Sequence, residues 1–319
     1  IPKNGDPVDY LGMMMSMTPE MAILSMETYI VNCLVTLEWD HLKPVETPIR
    51  KPIEPSTPLS PQLATKFHTA QGMLGWLNLT CRPDIAYAHS RIGQHQANPT
   101  ANALEALEYA FRYLKGTKHL CLGARNTTED RNLTKELLTA PSVKDGQHDW
   151  EFYCDSDYAG NSEIQNKRRS QNGVIALLNQ TPVYWYSKVS SVCFASPDIG
   201  EAHADTSSAA AEIFVAGNAT KDFMHLSYVA EEANIPFPKP FNLQMDNQAA
   251  KCFADDTVFK SQLKHIDARQ EWVKLLRNKK ICNPVWVPSK DNLADIFTKI
   301  LPVGDFIRLR DRLMHDPTK

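Results

Sequence analysis

Clustered cysteine is the first thing missing. The seven cysteines, Cys33, Cys81, Cys121, Cys154, Cys193, Cys252 and Cys282, are odd in number and never form a C-x-x-C pair. That spacing argues against both a disulfide framework and a cysteine-based zinc site, and leaves reduced thiols in an intracellular protein as the expectation. Long apolar runs are missing too: nothing approaches the ~18 residues of a membrane span. The methionine-rich stretch Met13–Met17 is cut from Met21 by Thr18, Pro19 and Glu20, and reads as strand-and-turn core material, not a targeting segment. Nor is there an excess of positive charge. With 34 Lys+Arg against 37 Asp+Glu the net charge is −3, so the chain as a whole is no polycation; a local basic surface beside an acidic site escapes that argument. The first residue is Ile1, not Met, which suggests a fragment or processed product. With no signal peptide evident, the sequons Asn126-Thr127-Thr128 and Asn132-Leu133-Thr134 read as chance.

What is present suits a globular chain of two or three domains: 319 residues, 43% hydrophobic and 22% charged. Residues 1–57 read as a small α/β piece. Asp9-Tyr10-Leu11-Gly12-Met13 is strand-like, Glu27 to Leu42 suits a helix, and six prolines between Lys43 and Pro61 make an extended connector. Residues 58–122 read as helical, with Phe67, Leu74 and Leu77 at helical spacing, Pro83 in a first turn, and a stripe from Leu104 to Leu114 closed by Lys115-Gly116-Thr117. Residues 123–148 are polar, aromatic-poor and linker-like.

From residue 149 to 319 the texture is α/β (α+β), with a mixed sheet expected. Trp150, Phe152 and Cys154 alternate with Glu151, Tyr153 and Asp155, and two apolar runs flank Asn179-Gln180-Thr181 as a hairpin. A helix over Ala209–Ala230, a strand over Phe241–Met245, a basic helix over Lys260–Asn278, a strand over Ile281–Val287 and a helix opening at Asn292 complete the order. Four acids stand at strand ends or helix starts: Asp155, Glu212, Asp246 and Asp295. Such positions in an α/β sheet face one crevice. Clustered carboxylates repel, and a divalent cation with hard-oxygen preference relieves them. Taken singly, Glu212 or Asp246 reads as readily as a cap or surface charge, and spacing alone does not decide.

Several motifs in one order decide more. Asp9-Tyr10-Leu11-Gly12, Lys43-Pro44-Val45-Glu46-Thr47-Pro48, Arg82-Pro83-Asp84-Ile85, Arg112-Tyr113-Leu114-Lys115-Gly116-Thr117, Cys154-Asp155-Ser156-Asp157-Tyr158-Ala159-Gly160, Ser187-Lys188, Ala211-Glu212, Asp246-Asn247-Gln248, Lys264-His265-Ile266-Asp267-Ala268-Arg269 and Leu293-Ala294-Asp295-Ile296-Phe297-Thr298-Lys299 follow one another along nearly the whole chain. Each is weak; together they resemble the C-terminal part of the Pol polyprotein of copia-type LTR retrotransposons. The resemblance implies the end of a reverse transcriptase palm and connector (1–57), a thumb- or connection-like helical region (58–122), and a ribonuclease H domain (149–319) with an RNase H-like mixed sheet. It implies hydrolysis of the RNA strand of RNA–DNA hybrids with two Mg²⁺ ions, Mn²⁺ as a substitute, and Asp155, Glu212, Asp246 and Asp295 as catalytic metal ligands. Asp155 would bridge the ions, Glu212 and Asp246 would serve the leaving-group side, and Asp295 the water side. Asp157 is kept out of the set, since the family's acid matches Asp155. The implied partners are the hybrid and the rest of the polyprotein, in a cytoplasmic particle or the nucleus, with no membrane.

Two basic stretches are candidates for hybrid contact. One is the helix carrying Lys264, His265 and Arg269; the other is Lys167, Arg168 and Arg169 with Asn172, whose amide suits 2′-hydroxyl recognition. A solvated helix face and a surface hairpin loop are the bland alternatives. The chain departs from the family pattern twice. No His precedes the last acid in Val287-Pro288-Ser289-Lys290-Asp291-Asn292, leaving Lys290 or His265 as candidate substitutes, and no Tyr-x-Asp-Asp occurs, so polymerisation is not expected of this chain. The alternative is a catalytically inactive hybrid-binding or dimerisation module. An integrase-type transferase is disfavoured by the acid order Asp, Glu, Asp, Asp and by the lack of a preceding zinc-binding His/Cys region.

Overall fold

The computed structural model describes residues 6–17, 21–125, 148–157, 169–191, 204–246 and 264–318. The chain divides into two compact units, Ile1–Asp145 with Ile300–Lys319, and Gly146–Lys299.

The first unit opens with strands β1 (Val8–Tyr10), β2 (Met13–Met17) and β3 (Met21–Ser25). From sequence Asp9–Met13 is one strand-like piece; in the structure Leu11 and Gly12 form a two-residue turn with φ of +56° and +81°. Asp9 Oδ1 accepts the Gly12 N–H at 3.0 Å, and the hairpin closes with Tyr10 opposite Met13. Helix α1 (Glu27–Thr36) stops well short of the expected Leu42. Glu38 takes φ of +60°, Trp39 N–H reaches back to Leu34 O at 2.8 Å, and this left-handed cap satisfies the last carbonyls.

The proline-rich connector leads to α2 (Pro61–Thr80), with Ser60 capping Leu63 N–H and Pro61 in the first turn. A 3-10 turn Pro83–Ile85 and α3 (Ala86–Gly93) follow, then α4 (Ala101–Gly116), capped by Thr100. Its stripe Leu107, Ala110, Phe111 and Leu114 is fully buried, as helical periodicity requires. Strand β4 (Leu122–Arg125) completes the four-stranded antiparallel sheet β1-β2-β3-β4.

The second unit holds β5 (Trp150–Asp157), β6 (Gln171–Leu178), β7 (Thr181–Val189), α5 (Ala204–Glu232), β8 (Phe241–Met245), α6 (Lys264–Asn278) and β9 (Cys282–Trp286). The sheet order is β7-β6-β5-β8-β9. The first three strands run antiparallel, while β8 pairs parallel to β5 and β9 parallel to β8. This mixed sheet is compatible with the expected RNase H-like architecture. The β6–β7 turn holds Asn179 and Gln180 at φ of +50° and +65°, the backbone twist a two-residue hairpin needs. One sheet face presents Phe152, Cys154, Val174 and Ala176 to Val215, Ala219 and Phe223 of α5 and Val273 and Leu276 of α6 in a single core. Trp272 packs against that core. Phe152 centres it, with ring centroids 4.7 Å from Phe223 and 5.1 Å from Phe241.

Helix α7 (Val303–Leu313) ends the chain. From sequence it belongs with residues 149–319; the structure groups residues 300–319 with the first unit. There Phe306 meets Tyr113 edge-on at 5.6 Å, and Cys121 and His315 exchange backbone hydrogen bonds of 3.0 and 2.8 Å. Among the described residues no helix is long and apolar enough to cross a membrane.

Candidate metal centre

Strand direction builds the site. β5 and β8 are parallel, with Phe152 opposite Leu243 and Tyr153 opposite Gln244. Two residues further along each strand come Asp155 and Asp246, so both acids emerge at one end of the sheet. β9 continues the parallel set, Met245 facing Trp286, and Val287 N–H donates to Met245 O at 2.8 Å. Trp286 Nε1 donates to the Asp246 carbonyl at 3.0 Å, holding the end of β8.

The chain then returns over the sheet through 3-10 turns at Ser289–Asp291 and Leu293–Phe297. Fully buried Asn292 anchors the second turn. Its Oδ1 caps Ala294 N–H at 3.1 Å, and its Nδ2 donates to Cys154 O at 3.3 Å. Ser187 Oγ donates to Phe297 O at 2.5 Å. Gly173, paired with Asp155 across β5 and β6, makes room for the turn. A Cβ there would lie 2.7 Å from Phe297 Cβ and 2.9 Å from Ala294 O. The missing side chain lets Asp295 descend to Asp155.

Asp155, Asp246 and Asp295 each bring a carboxylate oxygen within 4.8 Å of the other two. Asp155 and Asp295 are buried and Asp246 is half-buried. Thr298 Oγ1 donates to Asp155 Oδ2, and Lys299 Nζ lies 2.8 Å from Asp295 Oδ1, one helical turn on. Burial raises the Asp155 carboxyl above its ordinary range despite the Lys299 charge. Burial, then the Asp155 charge, pushes Asp295 up to about 7. Burial alone would lower Lys299, but Asp155 and Asp295 together raise it. This donor set fits a divalent cation: the ligand atoms are all hard oxygens, the carboxylates are crowded, and an ammonium already stands against one of them.

Of the four acids singled out from sequence, the structure brings three together. Glu212 is buried on α5, but it is not in the group whose ligand atoms come within 4.8 Å; its charge bears on Cys154, whose thiol burial raises first. Asp157 is half-buried at the end of β5. Asn172 is buried and accepts from Ser156 Oγ at 2.8 Å, while Arg169 is exposed. Lys167 and Arg168 lie outside the described residues, and the side chains of Lys264, His265 and Arg269 on α6 do as well. Lys290 is exposed on its turn. The sequence motif held Thr298 and Lys299 without assigning them a part. The i,i+4 spacing of Asp295 and Lys299 was the available signal; nothing in the sequence marked Gly173 or Trp286.

The chain is similar to three retrovirus-related Pol polyproteins of plant transposons. It is 26% identical over 293 residues to that of transposon TNT 1-94 from Nicotiana tabacum, matching 89% of this chain and 19% of the relative. With the polyproteins of transposons RE1 and RE2 from Arabidopsis thaliana the identity is 29% over 300 and 26% over 294 residues, each covering 92% of this chain and 18% of the relative. The chain therefore spans about a fifth of the length of these relatives. No family model matches it, and no solved structure does.

Proposed function

We propose, from the premise that this chain is a homologue of the Pol polyproteins of copia-type transposons, that residues 146–299 form a metal-dependent ribonuclease H acting on the RNA strand of RNA–DNA hybrids. The observation that carries the reading is the meeting of Asp155, Asp246 and Asp295, from three separate segments, within 4.8 Å at one sheet end. These three would hold the Mg²⁺ or Mn²⁺, with Glu212 completing the family's set. A bound divalent cation supplies an activated water and charge neutralisation at the scissile phosphate.

The remaining parts are the chain's own work. Thr298 fixes the rotamer of Asp155. Asn292 ties the turn carrying Asp295 to the strand carrying Asp155. Trp286 pins the backbone of Asp246. Rigid support of this kind keeps ligand oxygens aimed without reorganisation.

The test is cleavage of a strand-labelled RNA–DNA hybrid in Mg²⁺ by wild type and Asp155→Asn. Wild type is expected to cut the RNA strand alone, and the isosteric variant to lose more than the ~100-fold that supporting residues of a metal site typically cost. A second reading, a hybrid-binding module without catalysis, draws on the position of Glu212 outside the acidic group. Binding without cleavage in either Mg²⁺ or Mn²⁺ would favour it.

A further inference from the structure

We infer that Lys299 is a built-in counter-ion of the acidic triad that competes with the divalent cation for the same carboxylates. The inference rests on the metal-site reading above and adds a residue that sets its affinity.

Three observations support it. The Lys299 ammonium sits 2.8 Å from Asp295 Oδ1 and is about two-thirds buried, its side chain 37% exposed. Its charge bears on Asp155 and Asp246 as well as Asp295. Its neighbour Thr298 donates to Asp155, so two consecutive residues occupy oxygens of two of the three acids. Three carboxylates and one ammonium leave a formal charge of −2 at the sheet end. A divalent cation thus enters a site already partly neutralised, and must share or displace an ammonium at contact distance. Coulomb repulsion between a dication and an ammonium about 5 Å apart exceeds a factor of ten in binding even at the dielectric of water.

Sequence position explains why the lysine stays. Asp295 and Lys299 are one turn apart on a segment locked by Asn292 below and by Ser187 to Phe297 above. The ammonium therefore reaches the acid with few bonds to order, and the pair persists where an exposed ion pair would not.

The experiment is titration of the full chain with Mn²⁺ alone at about pH 8, counting free ion by electron paramagnetic resonance, for wild type, Lys299→Met, Lys299→Gln, Lys299→Arg and Asp155→Asn. Both neutral variants are expected to bind Mn²⁺ at least about tenfold more tightly than wild type, and Lys299→Arg to stay within about threefold of it. Neutral variants that bind no more tightly than a wild type that does bind Mn²⁺ would overturn the competition and leave the metal site standing. Absence of binding in wild type and neutral variants alike would overturn both. Thermal melts in EDTA and in Mn²⁺ give a second readout: the metal-induced rise in Tm should be larger for Lys299→Met than for wild type, and an equal rise would count against the inference.

Discussion

Two buried carboxyls and one glycine govern the site at the residue scale. Asp295 is pushed up to about 7 by burial and the Asp155 charge, and Asp155 is raised by burial. A carboxyl raised in the fold favours the protonated native state, so the stability it lends is complete below pH ~4 and is lost as pH climbs through ~7. The metal-free protein in EDTA is therefore expected to melt at lower temperature at about pH 8 than at about pH 5, with Mg²⁺ restoring more at the higher pH. Melting curves at both pH values, with and without metal, check this; a flat profile in EDTA would contradict it. Gly173 acts by absence. An added methyl would press on Phe297 Cβ at 2.7 Å and on the Ala294 carbonyl at 2.9 Å, neither of which is the loose end of a side chain. Gly173→Ala should cost about 3 kcal/mol and weaken Mn²⁺ binding, because the turn carrying Asp295 must lift. Denaturant unfolding and a Mn²⁺ titration read the two effects separately. Retention of wild-type values in both would remove the glycine from the account.

Strands and turns were the more legible elements, and their errors are instructive. Period-two alternation from Trp150 marks β5, while β6 is legible as a short apolar run, buried along nearly its whole length because helix packs on one face and the turn carrying Asp295 on the other. The β6–β7 turn was legible from Asn179-Gln180 between apolar runs, yet Gln180 sits at φ of +65°, where a β-carbon is costly. Gln180→Gly is expected to stabilise the fold by roughly 0.5–1 kcal/mol, since Asn-Gly is the favoured pair for this hairpin; chemical denaturation of the variant measures it, and destabilisation would refute the turn geometry. The over-long reading of α1 has a related cause. Its end is a left-handed Glu38 backed by a Trp39-to-Leu34 hydrogen bond, and no glycine announces it. Leu11 in the first hairpin misleads in the same way.

For the molecule as a whole, the chain folds as two compact units, each with its own sheet. The first unit is organised around a polar centre. Arg82, with 0% of its side chain exposed, grips Asp84 in two bonds of 2.9 and 2.7 Å and also reaches Thr117, while Tyr113 Oη donates to Asp84 at 2.5 Å. That network explains the Arg-Pro-Asp-Ile and Arg-Tyr-Leu-Lys-Gly-Thr motifs as structural. Asp84→Asn leaves a buried guanidinium unpaired and should cost about 3–5 kcal/mol, with Mn²⁺ binding by the second unit kept. Loss of metal binding at a temperature where the variant is folded would show that the network does more than hold its own unit together.

By itself the sequence determined the element types, the hydrophobic faces, three acids that the fold gathers and the family the chain resembles, because periodicity and collinear motifs are local properties. Only the tertiary structure decided which acids meet. Convergence depends on parallel register between β5 and β8, on a turn seated over Gly173, and on the Asn292 bridge from that turn to the Cys154 carbonyl. Each of these is a contact between segments far apart in the chain. Glu212 and Lys299 make the point from opposite sides: the motif pattern named the first as a ligand, and packing set the second against Asp295 at 2.8 Å, since an ammonium goes where buried negative charge has gathered.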